Sequence, residues 1–166
     1  MSTAVLDANT ESGYVERLLA AARRTIAEVR YCWVVSAAED GSANARLVLP
    51  FAADPEDDEW TRWFMTNRFS RKAGELRRSG RITLAYQDNS GNDYVTLAGR
   101  VALVENYWRP GWDAIFPAGT DLSRMIAVKA EIERIEIHSR GVTPEPFGHG
   151  RTLVGRDASG VWRLVD

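Results

Sequence analysis

The residues best suited to chemistry lie in one short run, Thr-Asn-Arg-Phe-Ser-Arg-Lys, at positions 66–72. A β-rich segment precedes the run, and a helical pattern ending at Gly80 follows it. The first turn of a helix has free backbone N–H groups and a partial positive charge, so it attracts phosphate. Arg71 and Lys72 stand where that charge disfavours cations unless an anion binds. The run therefore indicates a phosphate site, with ordinary capping by Ser70 and two solvated cations as the commoner alternative.

Three further side chains would complete such a site. Thr66 and Asn67 would hydrogen-bond a planar polar group at the end of the preceding strand. Arg46 would supply a third cation if its own strand pairs with that strand. An arginine that binds through two N–H groups, beside a lysine that acts as a point charge, is a good combination for holding phosphate.

The composition excludes several functional classes. The chain has 166 residues, of which 45% are hydrophobic and 27% charged, which predicts a single globular domain. The net charge of −2 gives no general attraction to nucleic acid, so we expect no nucleic-acid partner. No stretch approaches the roughly 20 apolar residues that a membrane helix needs. The first residues lack the features of a secretory signal, and we expect a cytoplasmic protein.

The inventory of reactive residues is also short. Cys32 is the one cysteine, so no intramolecular disulfide can form, and its position in a β-rich segment predicts a buried, inert thiol. The two histidines, His138 and His149, come without a cysteine pair, which argues against a zinc site. Neither a Walker-type loop nor a G-x-S-x-G motif occurs.

The elements that must position the run follow from hydrophobic periodicity. A helix is predicted over 11–30 with Thr10 as its cap, and a second over 70–80. Strands are predicted over 32–38, 43–50, 60–66, 81–87, 93–104 and 125–139, with a last small hairpin in the tail. Segment 105–119 has the pattern of a helix broken by Pro110 and Gly111. Six strands joined mostly by short turns predict an α+β, mainly β fold, a six-stranded antiparallel split barrel with flanking helices.

Three local features refine this prediction. Gly99, in the middle of the fifth strand, indicates a bend or a close backbone approach. The apolar phase of the sixth strand slips between Ile132 and Ile135, which predicts a β-bulge near Glu133. The acidic segment 54–59 has the composition of a solvated loop.

Three stretches together are similar to a known superfamily: Arg-Leu-Val-Leu-Pro-Phe at 46–51, the segment 64–88 around the Thr-Asn-x-x-Ser-Arg-Lys run, and the strand 93–106. They resemble the pyridoxamine 5′-phosphate oxidase-like, FMN-binding split-barrel superfamily. Segment 108–121, Trp-Arg-Pro-Gly-Trp-Asp-Ala-Ile-Phe-Pro-Ala-Gly-Thr-Asp, looks most like its general stress protein 26 branch. The resemblance covers most of 30–140 in the right order.

The resemblance implies a homodimer with FMN at the subunit interface, and one domain made of an N-terminal helix region (1–30), a barrel (31–140) and a tail (141–166). It places the cofactor-binding residues on two segments. The first would line the flavin and ribityl chain, partly through backbone groups: Arg46, Leu47, Val48 and Leu49. The second would contact the flavin or ribityl with Thr66 and Asn67, and the phosphate with Ser70, Arg71 and Lys72.

The chain also departs from the family pattern. Phe51 stands where the oxidases have a lysine, Phe147 where they have a substrate-binding arginine, and Tyr94 where they have a glutamine that reaches the partner's cofactor. His149 and Arg151 match the oxidase tail only within a short segment. We therefore do not expect oxidation of pyridoxamine phosphate itself, and the sequence assigns no catalytic residue and no substrate.

Several functions remain open from the sequence. The first is an FMN-dependent oxidoreductase of unassigned substrate, and the second is a non-catalytic flavin binder or sensor. A split barrel binding FAD, deazaflavin F420 or haem is a third, with the histidines as the axial-ligand candidates for haem. An oligonucleotide-binding barrel is disfavoured by the net charge of −2. The aromatic residues of segment 105–119 are predicted to pack against the barrel or a partner rather than stack on a flavin: Tyr107, Trp108, Trp112 and Phe116.

Overall fold

The computed structural model describes residues 8–145 and 150–165. Two α-helices and eight strands account for most of this part of the chain. The helices are α1 (Ala8–Glu28) and α2 (Arg71–Ser79). The strands are β1 (Cys32–Ala37), β2 (Ala43–Val48), β3 (Arg62–Asn67), β4 (Arg81–Asp88), β5 (Asp93–Val104), β6 (Met125–His138), β7 (Leu153–Arg156) and β8 (Trp162–Leu164).

The strands form a mostly antiparallel sheet in the order β2-β1-β4-β5-β6-β7-β8, with β3 also paired to β6. The fold is therefore α+β, as predicted, and consistent with a split barrel; within the described residues the sheet does not close on itself. Six predicted strands correspond to β1–β6, and the predicted tail hairpin supplies β7 and β8, so the strand count is eight rather than six. No helix in the described ranges is long and apolar enough to cross a membrane.

The chain divides into two compact units. Unit 1 comprises Met1–Arg30, Ala85–Leu97 and Glu133–Asp166, and unit 2 comprises Tyr31–Leu84 and Ala98–Ile132. One boundary lies between α1 and β1, and the other three fall within β4, β5 and β6. The prediction of one domain with three regions is not tested by this division and stays a prediction.

Unit 1 contains α1. The apolar stripe predicted for this helix is Leu18, Leu19, Ala22, Ile26 and Val29; the first three are buried, and the last two are half-buried. The helix already includes Thr10, so the prediction of Thr10 as its N-cap is wrong. The β7–β8 hairpin also belongs to this unit and adds to β6, with Ile135 paired to Val154. Beyond Ile132 the buried positions of β6 move to Ile135 and Ile137, which confirms the predicted change of phase.

Unit 2 contains the β1–β2 hairpin, β3 and α2. The backbone of β5 passes so close to β6 that a Cβ added at Gly99 would lie 1.9 Å from the Glu131 carbonyl oxygen. The predicted close approach at Gly99 is thereby confirmed, because a side chain at this position has no room. Cys32 is buried in β1, also as predicted.

The segment that follows β5 differs from its prediction. Pro110 removes a backbone donor and Gly111 adopts φ 86°, so only a 3-10 turn forms, at Trp112–Ile115, and the predicted α-helix is absent from this described segment. Two of its four aromatic residues pack as predicted, whereas Trp108 is 39% exposed. Tyr107 stacks on Trp63 with ring centroids 4.3 Å apart, and Trp112 stacks on Phe51 at 4.9 Å.

The acidic segment 54–59 is not simply a solvated loop, and that prediction is corrected. Asp54 pairs with Arg109 at 2.8 Å, and Asp57 pairs with Lys129 at 2.5 Å while accepting from Trp63 Nε1 at 2.8 Å. Burial alone would raise the pKa of Asp57, but the hydrogen bonds from Lys129 and Trp63 outweigh it and lower that pKa. Cations that lie far away in the sequence therefore neutralise both carboxylates, and Asp57 also binds the Trp63 ring nitrogen. These contacts hold the acidic segment against the folded chain instead of leaving it in solvent.

Candidate functional site

The sequence-predicted phosphate site lies at the start of α2 in unit 2. Ser70 is the N-cap, and its side chain accepts from Ala73 N at 3.2 Å. At the other end, Gly80 adopts φ 63°, and its N–H donates to Leu76 O at 2.9 Å. Ala73 and Leu76 are fully buried. The helix therefore begins and ends where its capping residues require.

The cap leaves two backbone donors open. The N–H groups of Arg71 and Lys72, the first two residues of α2, have no acceptor among the residues that the structure describes. They are the donors that a helix cannot satisfy within itself, and the side chains that follow them are both cationic. This arrangement can bind an oxyanion through the backbone and through charge together. We call Thr66, Asn67, Ser70, Arg71 and Lys72 the α2 mouth.

The end of β3 brings two more polar side chains to the α2 mouth. Thr66 is buried, and its Oγ1 lies 3.5 Å from Ser70 Oγ. Asn67 accepts from Phe69 N at 2.9 Å through Oδ1, which shapes the turn into the helix. The amide nitrogen of Asn67 has no acceptor in the described part of the chain and is open to a ligand.

Lys72 is a half-buried cation without a carboxylate partner among the described residues. Its Nζ lies 5.2 Å from the centroid of the buried Phe64 ring. Burial lowers the pKa of the Lys72 ammonium below its ordinary value, and the nearby thiol of Cys32 opposes part of that shift. An unpaired, partly desolvated ammonium gains more from an arriving anion than a fully solvated one does.

Arg71 is more exposed and already has partners. Its Nε lies 3.6 Å from Glu75 Oε1, and its Nη2 donates to Asn44 Oδ1 at 3.4 Å. Because Asn44 belongs to β2, the structure brings the β1–β2 hairpin next to the α2 mouth. Neither Asn44 nor Glu75 was predicted from the sequence as part of the site. The sequence did contain a signal for Glu75, because it lies four residues after Arg71 on a predicted helix, the spacing of an ion pair.

The predicted residues of β2 are not all brought to the α2 mouth. Arg46 lies on the same face of the hairpin as Asn44, but its Nη1 donates to Ala45 O at 2.7 Å, and no contact joins it to α2 in the described residues. Val48 is buried, whereas Leu47 is 54% exposed on the opposite face. Leu49 follows the strand and is half-buried. The side chains of Arg46 and Leu47 therefore cannot line one site in a single chain, since neighbouring strand residues face opposite ways.

Of the two histidines, the structure describes His138. His138 is buried, with Nδ1 3.3 Å from Thr143 Oγ1, and its ring stacks on Tyr94 at 5.4 Å. No group of three potential metal ligands occurs in the ranges that the structure covers. His149 and Phe147 lie outside the described residues. The carbonyl of Arg151 accepts from the Tyr14 hydroxyl at 3.0 Å.

Comparison with known proteins matches residues 19–139 to the family described as pyridoxamine 5′-phosphate oxidase like. No curated protein matches the chain. A solved structure of a Clostridium acetobutylicum protein related to general stress protein 26 is 17% identical, with a TM-score of 0.61, over 76% of this chain and 90% of that one.

Two further solved structures match almost the whole chain. A pyridoxamine 5′-phosphate oxidase-related, FMN-binding protein from Nostoc punctiforme is 13% identical, with a TM-score of 0.61, over 99% of this chain and 100% of that one. PhzG from Burkholderia lata, in complex with tetrahydrophenazine-1-carboxylic acid, is 17% identical, with a TM-score of 0.60, over 99% of this chain and 98% of that one. At these identities the likeness establishes the fold alone.

Proposed function

The chain belongs to the pyridoxamine 5′-phosphate oxidase-like family, and we propose that it binds FMN with the phosphate at the α2 mouth. The observation that carries the proposal is the pair of open backbone N–H groups on Arg71 and Lys72, combined with the two side-chain cations. A dianionic phosphate is the ligand that such a set of donors fits. The FMN-binding relative from Nostoc punctiforme supports the choice of flavin.

We infer that each member of the α2 mouth has a separate task. Lys72 and Arg71 bind the phosphate by charge, and Ser70 holds the first turn so that the two N–H groups stay directed outward. Asn67, with its open amide nitrogen, and the hydroxyl of Thr66 bind the ribityl chain or the ring. Arg46, Leu47, Val48 and Leu49 contribute through β2, partly by backbone groups. FAD and F420 share the phosphate and are the alternative flavin-type ligands.

We further propose that the protein is an FMN-dependent oxidoreductase of unassigned substrate, related to general stress proteins. Bound flavin would supply hydride and electron transfer, and the protein would supply orientation and charge. A flavin binder without turnover is the second candidate, because Phe51, at the position of the oxidase lysine, stacks on Trp112 and brings no cation. Anaerobic reduction by NADH or NADPH, followed by reoxidation with candidate acceptors, separates the two; steady turnover eliminates the non-catalytic binder.

We propose that the protein forms a homodimer. Six apolar residues share one face of the β1–β2 hairpin, since Trp33 pairs with Leu47, Val35 with Ala45 and Ala37 with Ala43. Trp33 is 48% exposed and Leu47 54% exposed, so this outer face remains open to solvent in the single chain. A contiguous exposed apolar patch is typical of an interface, and a second copy would cover it and bring its own β2 near a flavin.

We also propose a cytoplasmic location, without nucleic-acid or membrane partners.

Titration with flavins tests the cofactor proposal. Purified protein is expected to be yellow or to bind added FMN. Arg71→Ala with Lys72→Ala should weaken FMN and leave riboflavin affinity nearly unchanged, because riboflavin lacks the phosphate. Each lost charged contact is worth about 1.5–3 kcal/mol, or roughly 10- to 150-fold in Kd. Arg24→Ala, which removes an exposed cation of α1, is the control. A colourless protein that binds no added flavin would show the proposal to be wrong.

A further inference from the structure

A buried carboxylate lies one helical turn beyond the α2 mouth and has no role in the proposed function so far. Glu75 belongs to α2, and only 4% of its surface is exposed. Burying an ionised carboxylate is costly unless hydrogen bonds and charge satisfy it. The contacts of the Glu75 carboxylate therefore indicate its role.

The β1–β2 hairpin fixes both oxygens of this carboxylate. Ser36 Oγ donates to Glu75 Oε2 at 2.6 Å, and Asn44 Nδ2 donates to Glu75 Oε1 at 2.8 Å. Ser36 and Asn44 are directly paired across the two strands, so their side chains leave the same face together. Two short hydrogen bonds from the β1–β2 hairpin therefore fix the position of the Glu75 carboxylate.

Arg71 is the cation that contacts this carboxylate. Its Nε lies 3.6 Å from Glu75 Oε1, and its Nη2 donates to Asn44 Oδ1 at 3.4 Å. The Asn44 amide has one suitable orientation, with nitrogen toward the carboxylate and oxygen toward the guanidinium. A guanidinium has five N–H donors in a planar fork, and these contacts occupy the Nε–Nη2 edge. The Nη1 hydrogens remain for another ligand.

We propose that Glu75 is a positioning residue that, with Asn44, holds Arg71 by one edge and leaves the Nη1 edge for the ligand phosphate. The inference rests on the proposed function. An arginine at the first position of a helix is repelled by the helix dipole, and its long side chain has many rotamers. The fixed carboxylate offsets that repulsion and reduces the rotamers that phosphate binding must otherwise restrict.

The test is Glu75→Gln in the wild-type and in the Arg71→Ala background, with FMN and riboflavin titrated by flavin fluorescence. Glu75→Gln alone should weaken FMN binding by about twofold to fivefold, the upper part of the range for an exposed ion pair, and leave riboflavin affinity unchanged. In the Arg71→Ala background the same substitution should have no effect on FMN. Asn44→Ala, which removes the contact between hairpin and guanidinium, should give the same selective loss.

Glu39→Gln is the matched control, because Glu39 pairs with Arg78 at 3.1 Å near the other end of α2. It should change neither affinity. Unchanged or tighter FMN binding in both Glu75→Gln and Asn44→Ala would overturn the inference, since Glu75 would then be neutral or a competing charge. An equal loss in the Arg71→Ala background would also overturn it, as a purely structural effect. If Arg71→Ala weakens FMN and riboflavin binding equally, the proposed phosphate site is wrong, whatever the role of Glu75.

Discussion

Replacing Lys72 by methionine should separate the function of the α2 mouth from its stability. Methionine keeps an unbranched, flexible side chain of similar reach and removes only the charge. Lys72 has no carboxylate partner among the described residues, and its ammonium lies 5.2 Å from the Phe64 ring. The substitution therefore breaks no ion pair in the free protein, yet it removes one of the two proposed cationic partners of the phosphate.

The expected magnitudes differ for the two properties. FMN affinity should fall by roughly 10- to 150-fold, the equivalent of about 1.5–3 kcal/mol for a charged hydrogen bond, while riboflavin affinity stays unchanged. The lost contact with the Phe64 ring is worth about 0.5–1 kcal/mol. Relief from burying an ammonium acts in the opposite direction, so the free energy of unfolding without flavin should change by less than about 1 kcal/mol.

The pH dependence provides an independent check. Burial lowers the pKa of Lys72 in the folded protein from its ordinary 10.5, so the unfolded chain binds more protons between these two values. Wild-type stability relative to Lys72→Met should therefore rise as pH increases through the lowered pKa toward 10.5. FMN affinity should fall over the same rise in wild type, because Lys72 loses its charge, and this step should be absent in the variant.

Fluorescence titration of both flavins and urea denaturation of the flavin-free protein measure these quantities. Arg24→Met, at an exposed position of α1, controls for the loss of a cation. Two results would contradict the reasoning. One is unchanged FMN affinity in Lys72→Met; the other is a loss of more than about 2 kcal/mol in stability without flavin, which would make Lys72 a structural residue.

Three further predictions concern the fold and the interface. Gly99→Ala should destabilise the protein by about 1–3 kcal/mol or prevent folding, because its Cβ would lie 1.9 Å from a backbone oxygen. Gly74→Ala, whose Cβ would have nothing within 4 Å, should not destabilise the protein, and urea denaturation measures both variants. Asp57→Asn should cost about 1–3 kcal/mol at pH 7, and this deficit should shrink as pH falls below 3.8 through the lowered pKa of Asp57, as measured by denaturation across that range. Leu47→Asp should convert the proposed dimer to a monomer in light scattering, whereas Val161→Asp, at another exposed position, should not; a dimer in both would place the interface elsewhere.

Local signals in the sequence predicted the α2 mouth well. Ser70 and Gly80 were identified as the start and stop of the helix, and they form its caps. The range predicted for the fifth strand coincides with Asp93–Val104. Capping and strand alternation act over a few residues, so a single sequence contains the information they need.

Prediction from the sequence failed where the environment of a residue depends on distant parts of the chain. Segment 54–59 has the composition of a solvated loop, yet Asp57 is neutralised by Lys129, 72 residues away. The strand over 43–50 was predicted from its periodicity, but only the fold shows that its apolar face, which includes Leu47, points outward. Nothing local indicates either outcome, because burial and charge pairing are properties of residues that meet in space.

The sequence by itself therefore determined most of the helices and strands, the family resemblance and the cations at positions 71 and 72. Tertiary structure decided the environment of those cations. It left Lys72 half-buried against Phe64 without a carboxylate, and it gave Arg71 a carboxylate held by the β1–β2 hairpin. The physical reason is that desolvation and ion pairing depend on the distance between side chains, which the packing of α2 against the hairpin sets.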